Sequence, residues 1–177
     1  MKIFWFTGLS GAGKTTIAKK AQDALKRKGK KVLLLDGDEI RAQYPKTLGF
    51  SREDIIQNNR FIADLCKKRI QEFDYIFVSV ITPFREIRCE LKEIFAGQYV
   101  EVYVKATLEE VIRRDVKGLY KKALTGEIHN FIGVDTQIPY ESPEKPDFVI
   151  ETEKESVEHS LAQFMDFIHL AAKRSKL

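Results

Sequence analysis

Gly8-Leu9-Ser10-Gly11-Ala12-Gly13-Lys14-Thr15 follows the pattern G-x-x-x-x-G-K-[ST], a spacing built for holding phosphate. Glycines let the backbone curl until successive N–H groups face one centre, and the N-terminus of a following helix adds partial positive charge at that centre. Lys14 is then placed to reach the outer phosphates of a triphosphate, and the Thr15 hydroxyl to ligate Mg²⁺. A purely structural glycine turn has no need of lysine and threonine in that register. Asp36 and Asp38, in Leu35-Asp36-Gly37-Asp38, are the next residues able to do chemistry. Carboxylates at the end of a strand beside a phosphate loop suit a base and the positioning of a metal; a solvated turn that favours Asp and Gly is the alternative.

Cations and aromatics complete the set. Lys117-Gly118-Leu119-Tyr120-Lys121-Lys122, just after Arg113-Arg114-Asp115, suits a basic lid that closes over transferring phosphates and excludes water, with a solvated basic surface as the alternative. Phe50 and Phe131 sit in glycine-containing loops, where an aromatic either stacks on a nucleobase or plugs the loop; spacing leaves both open. His129, His159 and His169 show no metal-ligand spacing, Cys66 beside Leu65 reads as core, and Cys89 is uninformative.

The elements that must position these residues alternate strand and helix. Lys2–Thr7 and Lys31–Asp36 read as buried strands flanking a helix over Thr15–Lys28. Ser51 caps a helix that runs to about Gln71, with Asp54 reaching back. Strands follow over Tyr75–Val80 and Tyr99–Val104, separated by a helix over about Arg85–Phe95. A helix near Leu108–Arg114 leads into Val116–Tyr140, poor in large aliphatics and read as an exposed flap. Asp147–Ile150 makes a fifth strand, and Val157, Leu161, Phe164, Met165 and Ile168 give the closing helix an apolar stripe. Such alternation implies a parallel sheet covered on both faces.

Composition narrows the function. At 177 residues, with 44% hydrophobic and 32% charged, the chain fits one compact domain rather than two and is not a disordered chain. A net charge of +4 without a long Lys/Arg run suits an anionic small molecule and gives little support to nucleic-acid binding. The two cysteines exclude a disulfide framework and a four-cysteine zinc site, and a reducing cytoplasmic location fits. No signal peptide or membrane span is evident. A nucleotide-dependent switch of the GTPase kind would show an Asn-Lys-x-Asp tetrapeptide, and none occurs.

With these residues in place, the chain resembles the adenylylsulfate kinase family from about Lys2 to Ile150. The matching stretches are Gly8 to Thr16, Leu35 to Asp38 with Arg41, Leu48-Gly49-Phe50-Ser51 with Glu53-Asp54, Ile81-Thr82-Pro83-Phe84-Arg85, and Arg114 to Ala123. Gly126-Glu127-Ile128, Phe131, Gly133 and Asp135 continue them. The resemblance implies an α/β P-loop NTPase fold of the nucleoside-kinase type, a three-layer α/β/α domain over residues 1–177 with a five-stranded parallel sheet and a lid at about 116–140. It implies transfer of the γ-phosphoryl of MgATP to the ribose 3′-hydroxyl of adenosine 5′-phosphosulfate. ATP binding then falls to Gly8, Ser10, Gly11, Ala12, Gly13, Lys14, Thr15, Thr16 and Arg114. Asp36, Asp38 and Lys14 carry catalysis, and Thr15 and Asp36 hold the metal. The acceptor nucleotide is assigned to Asp38, Arg41, Phe50, Asn58, Ile81, Thr82, Lys117 and Phe131, with the two phenylalanines sandwiching its base. A homodimer is the expected assembly.

Three departures from the family pattern stand out. Ile55 occupies the position after Glu53-Asp54 where the family usually has an arginine, Thr82 replaces a serine, and Thr136 to Tyr140 looks longer than the usual connection. Losing a charge-assisted contact weakens anion binding by about 1.5–3 kcal/mol; Arg52 or Arg60 is expected to supply the missing charge. A related kinase type phosphorylates cytidine diphosphoramidate on its 3′-hydroxyl, which makes another capped nucleotide the alternative acceptor.

Overall fold

A computed structural model describes residues 2–42 and 49–174; Leu48 of the first aromatic loop lies outside them. Strand β1 (Lys2–Thr7) is buried on both sides, and its alternation divides it between two cores. Phe4 and Phe6 face one, Ile3 and Trp5 the other. Flanking β1 are β3 (Tyr75–Ser79) and β4 (Tyr99–Lys105), while β2 (Val32–Asp36) and β5 (Phe148–Glu151) form the edges. The order is β2-β3-β1-β4-β5, and every pairing is parallel.

Helices cover both faces. On one, α1 (Lys14–Arg27) and α7 (Val157–Arg174) enclose an aromatic cluster in which Phe164 meets Phe4 at 5.5 Å and Phe6 at 5.1 Å between ring centroids. Each such ring contributes about 1.5–3 kcal/mol by leaving water. On the other face α3 (Arg52–Arg69) brings Ile55, Ile62 and Cys66 to the sheet, and α4 (Arg85–Ile94) brings Ile87 and Leu91. The capping box expected of Ser51 and Asp54 starts α3. Helix α5 (Leu108–Arg114) has the expected bounds, capped by Thr107. Burial pushes the Cys66 thiol up to about 12, so it is an inert core group.

Two segments differ from expectation. Gly37–Ala42 forms a short helix, α2, where no helix or strand is expected from the sequence. The segment 116–140 is more than an exposed flap: it contains α6 (Leu119–Leu124) and buries Tyr120 and Ile138. Ile138 reaches the second core, so the connection after Asp135 is anchored there. The chain crosses β1 in passing from β3 to β4, so the crevice for a ligand opens at the carboxyl ends of these strands. Among the described residues no helix is long and apolar enough to cross a membrane.

Candidate active site

The glycine-rich turn occupies that crevice, between β1 and α1. Gly8 has φ 151°, and a Cβ there would sit 2.3 Å from the Val104 carbonyl oxygen of β4, so no side chain fits. Gly13, at φ 98°, caps α1 in the left-handed region. Lys14 Nζ donates to the carbonyl oxygens of Gly8 (2.9 Å) and Leu9 (2.8 Å), lying back along the turn. Its burial, with nearby Lys117, lowers the ammonium pKa to about 7. An anion seated in the loop restores the charge that burial disfavours.

Next to the lysine is a cluster of oxygens. Thr15 Oγ1 donates to Asp36 Oδ2 at 2.7 Å and lies 2.9 Å from Ser79 Oγ, while Asp36 Oδ1 accepts from the Asp38 amide at 3.0 Å. Strand register puts Asp36 opposite Ser79 at the same sheet edge. A carboxylate and hydroxyls beside a phosphate loop are the hard donors that Mg²⁺ takes together with phosphate oxygens, so the residues present fit that ion.

A cavity of about 460 Å³ opens from this cluster. Ser10, Gly11, Gly13, Lys14, Thr15 and Thr16 form its phosphate wall. Opposite stand Asp38 and Arg41 of α2, Phe50 from the loop before α3, Ile55 and Asn58 of α3, and Ile81 after β3, while Lys117 and Phe131 come from the lid. Lys117 forms an ion pair with Asp38, which pins the lid to α2. Arg41 stacks over the Phe50 ring at 4.4 Å and donates to the Gly49 carbonyl oxygen at 2.7 Å. Asn58 is buried, and its Oδ1 has no hydrogen-bond partner. Leaving a buried acceptor unmet costs about 1–3 kcal/mol, so a ligand donor is favoured there.

A second hollow of about 310 Å³ lies on the other side of the loop, and Gly13 and Thr16 border both. Ala12, Arg114 and Thr152 line it. Arg114 is held by Glu110 (2.7 Å) and by the Thr152 carbonyl oxygen (2.7 Å).

Most of the residues singled out in the sequence converge on these two hollows, with informative exceptions. Gly8 shapes the loop from behind. Thr82 does not line the cavity: it is fully buried, accepting from Trp5 Nε1 at 2.7 Å and donating to Asn59 Oδ1 at 2.9 Å. Its hydroxyl supports the wall that Ile81 and Asn59 present, which corrects its assignment to the acceptor. Neither Arg52 nor Arg60 supplies the charge expected beside Ile55. Arg52 pairs with Glu86 at 3.1 Å over the Phe84 ring, and Arg60 grips Glu90 through two bonds of 2.7 and 2.8 Å. Both turn toward α4, and Ile55 leaves that part of the wall apolar. Of the lid's lysines, Lys117 lines the cavity while Lys121 and Lys122 are exposed on α6. Ser79 was missed, although its place at the end of the strand beside Asp36 was an available signal.

Comparison with known proteins agrees with this geometry. The sequence profile of Adenylylsulphate kinase matches residues 1–151. The chain belongs to the adenylylsulfate kinase family. It is 47% identical over 161 residues to the adenylyl-sulfate kinase of Picosynechococcus sp., covering 91% of this chain and 89% of that one. The adenylyl-sulfate kinase of Halothermothrix orenii is 45% identical over 164 residues, covering 93% and 87%. The APS kinase of Mycobacterium tuberculosis in complex with AMPPNP and APS superposes with a TM-score of 0.88 at 33% identity, covering 95% of this chain and 97% of that chain. As an adenylylsulfate kinase family member, the chain has a P-loop kinase fold and the chemistry of a phosphotransferase.

Proposed function

We propose that this protein transfers the γ-phosphoryl of ATP to the ribose 3′-hydroxyl of adenosine 5′-phosphosulfate, giving 3′-phosphoadenosine 5′-phosphosulfate. The observation that carries the reading is the pair of hollows meeting across one phosphate loop. ATP lies along the loop with its nucleoside end toward Arg114 and Thr152, and the acceptor fills the larger cavity. The acceptor base stacks between Phe50 and Phe131, Asn58 Oδ1 accepts from it or its sugar, and Arg41 and Lys117 face its anionic tail.

Phosphoryl transfer asks for alignment and charge neutralisation more than covalent help. Lys14 leaves the Gly8 and Leu9 carbonyls to meet the β- and γ-phosphates. Thr15 and Asp36 hold Mg²⁺, which supplies further neutralisation of phosphate charge when bound. Asp38 orients the acceptor hydroxyl and takes its proton as the new O–P bond forms and the bond to the β-phosphate oxygen breaks, releasing ADP. The segment 116–140 closes over the site and excludes water.

The apolar wall at Ile55 favours one second reading, a differently capped nucleotide such as cytidine diphosphoramidate at the same site. Measuring kcat/KM for both acceptors with MgATP tests the assignment. A higher value for adenylylsulfate is expected. The reverse order would reassign the acceptor, and no ADP release with either would overturn the kinase reading.

A further inference from the structure

One buried polar side chain of the lid is unused by the transfer chemistry. Tyr120 of α6 is 2% exposed, and its hydroxyl donates to the Ser10 carbonyl oxygen of the phosphate loop at 2.9 Å. The same ring meets Phe131 edge-on, at 5.0 Å between centroids and 80° between planes. Helix α6 is itself held at its start, because the two carboxylate oxygens of Asp115 accept from the amides of Tyr120 and Lys121, each at 3.0 Å. Asp115 directly follows Arg114 of the second hollow. Burial, with Asp115 nearby, raises the Tyr120 phenol above its usual range, so it stays a donor at working pH.

We infer that Tyr120 is a positioning residue that couples the two ligand sites, linking the phosphate loop through Ser10 to the acceptor wall through Phe131. A triphosphate in the loop fixes Ser10, the hydroxyl transmits that order to α6, and the ring holds Phe131 where the acceptor base must stack. Binding at one site then lowers the ordering cost at the other, and the coupling is reciprocal. A buried hydrogen bond of this kind is worth a several-fold change in the coupling. The inference rests on the reading of Phe131 as acceptor wall, so the test has one arm that needs no acceptor.

In that arm, Phe131→Trp introduces at the wall a second indole, in addition to the resident Trp5, and its emission, taken as the difference from the chain with Phe131 intact, is followed while AMPPNP is added. A shift is expected with Tyr120 intact, and its loss in Tyr120→Phe, which keeps the ring and removes only the hydroxyl. In the second arm, calorimetry of the full chain measures adenylylsulfate binding with and without AMPPNP. AMPPNP is expected to tighten binding about tenfold in the native chain and about twofold or less in Tyr120→Phe. An indole response or a tightening that survives Tyr120→Phe would overturn the inference. An indole response without adenylylsulfate binding would leave Tyr120 as the coupler and refute the acceptor assignment alone. Should Tyr120→Phe fail to fold, Asp115→Asn loosens the same helix from its start and is expected to cause the same losses.

Discussion

The two walls of the cavity are built on different principles. On the phosphate side the binding groups are backbone amides of one short turn, and the side chains that join them, Lys14 and Asp36, are 8% and 7% exposed. On the acceptor side Phe50 is 49% exposed, and Asp38, whose side chain is 75% exposed, takes its lysine partner from the lid, 79 positions along the chain. The backbone of the first wall is preorganised, with Gly8 and Gly13 fixing its curvature, and of its groups Lys14 is the one that swings from the loop carbonyls onto the phosphates. The second is assembled from α2, α3 and the lid, and its polar groups meet one another as well as a ligand. Apart from Asp38, which stands on the second wall and takes the acceptor proton, rate should therefore depend on the first wall and acceptor choice on the second.

Substitutions separate the walls in that order. Lys14→Ala is expected to lower kcat about 10³-fold by removing the buried cation from the phosphates; a native rate in an ADP-release assay would break the comparison at its root. Asp36→Asn removes charge from the Thr15 cluster and should cost about 10²-fold in kcat, with a thermal midpoint close to native. A collapse of that midpoint would make the residue structural instead. Phe131→Ala should raise the acceptor KM about tenfold while leaving the Kd for ATP in the absence of acceptor within about twofold, since aromatic stacking is worth roughly 1–3 kcal/mol per base. Equal effects on both constants would mean that the walls do not divide the work.

The smallest effect concerns protons. Lys14 titrates at about 7 in the fold against an ordinary 10.5. Between those values the unfolded chain binds more protons at this position, so its contribution to stability rises with pH across that window and is least favourable below pH 7. Phosphate charge reverses the burial penalty, and ATP binding near pH 8 should take up roughly one proton. Calorimetry in buffers of different ionisation enthalpy measures this uptake. Lys14→Arg, whose guanidinium never deprotonates, should abolish it.

How far the site could be read in advance followed the range of the contacts. The phosphate turn, the Ser51–Asp54 cap and α5 depend on residues a few positions apart, and each forms as the spacing implies. Asp36 was legible because a strand ending in a carboxylate must open on the loop edge. Thr82 was misassigned because its place in a matching stretch carries no information about Trp5, 77 positions away, which takes its hydroxyl. Arg52 was expected at the acceptor because one helical turn separates it from Ile55, and Arg60 because it follows on the same helix, but Glu86 and Glu90 draw them to α4. Tyr120 lay in a segment too polar to suggest burial, yet the phosphate loop and Phe131 enclose it.

By itself the sequence determined the alternation of strands and helices, the curl that grips phosphate and the carboxylate beside it. Each of these is encoded by backbone conformations and polarities within a few residues. Tertiary structure alone decided which cations reach the cavity, which hydroxyl supports its wall, and how the lid is tied to the loop beneath it. Those outcomes depend on which charged and polar groups meet when distant segments pack, where the nearest complementary partner wins.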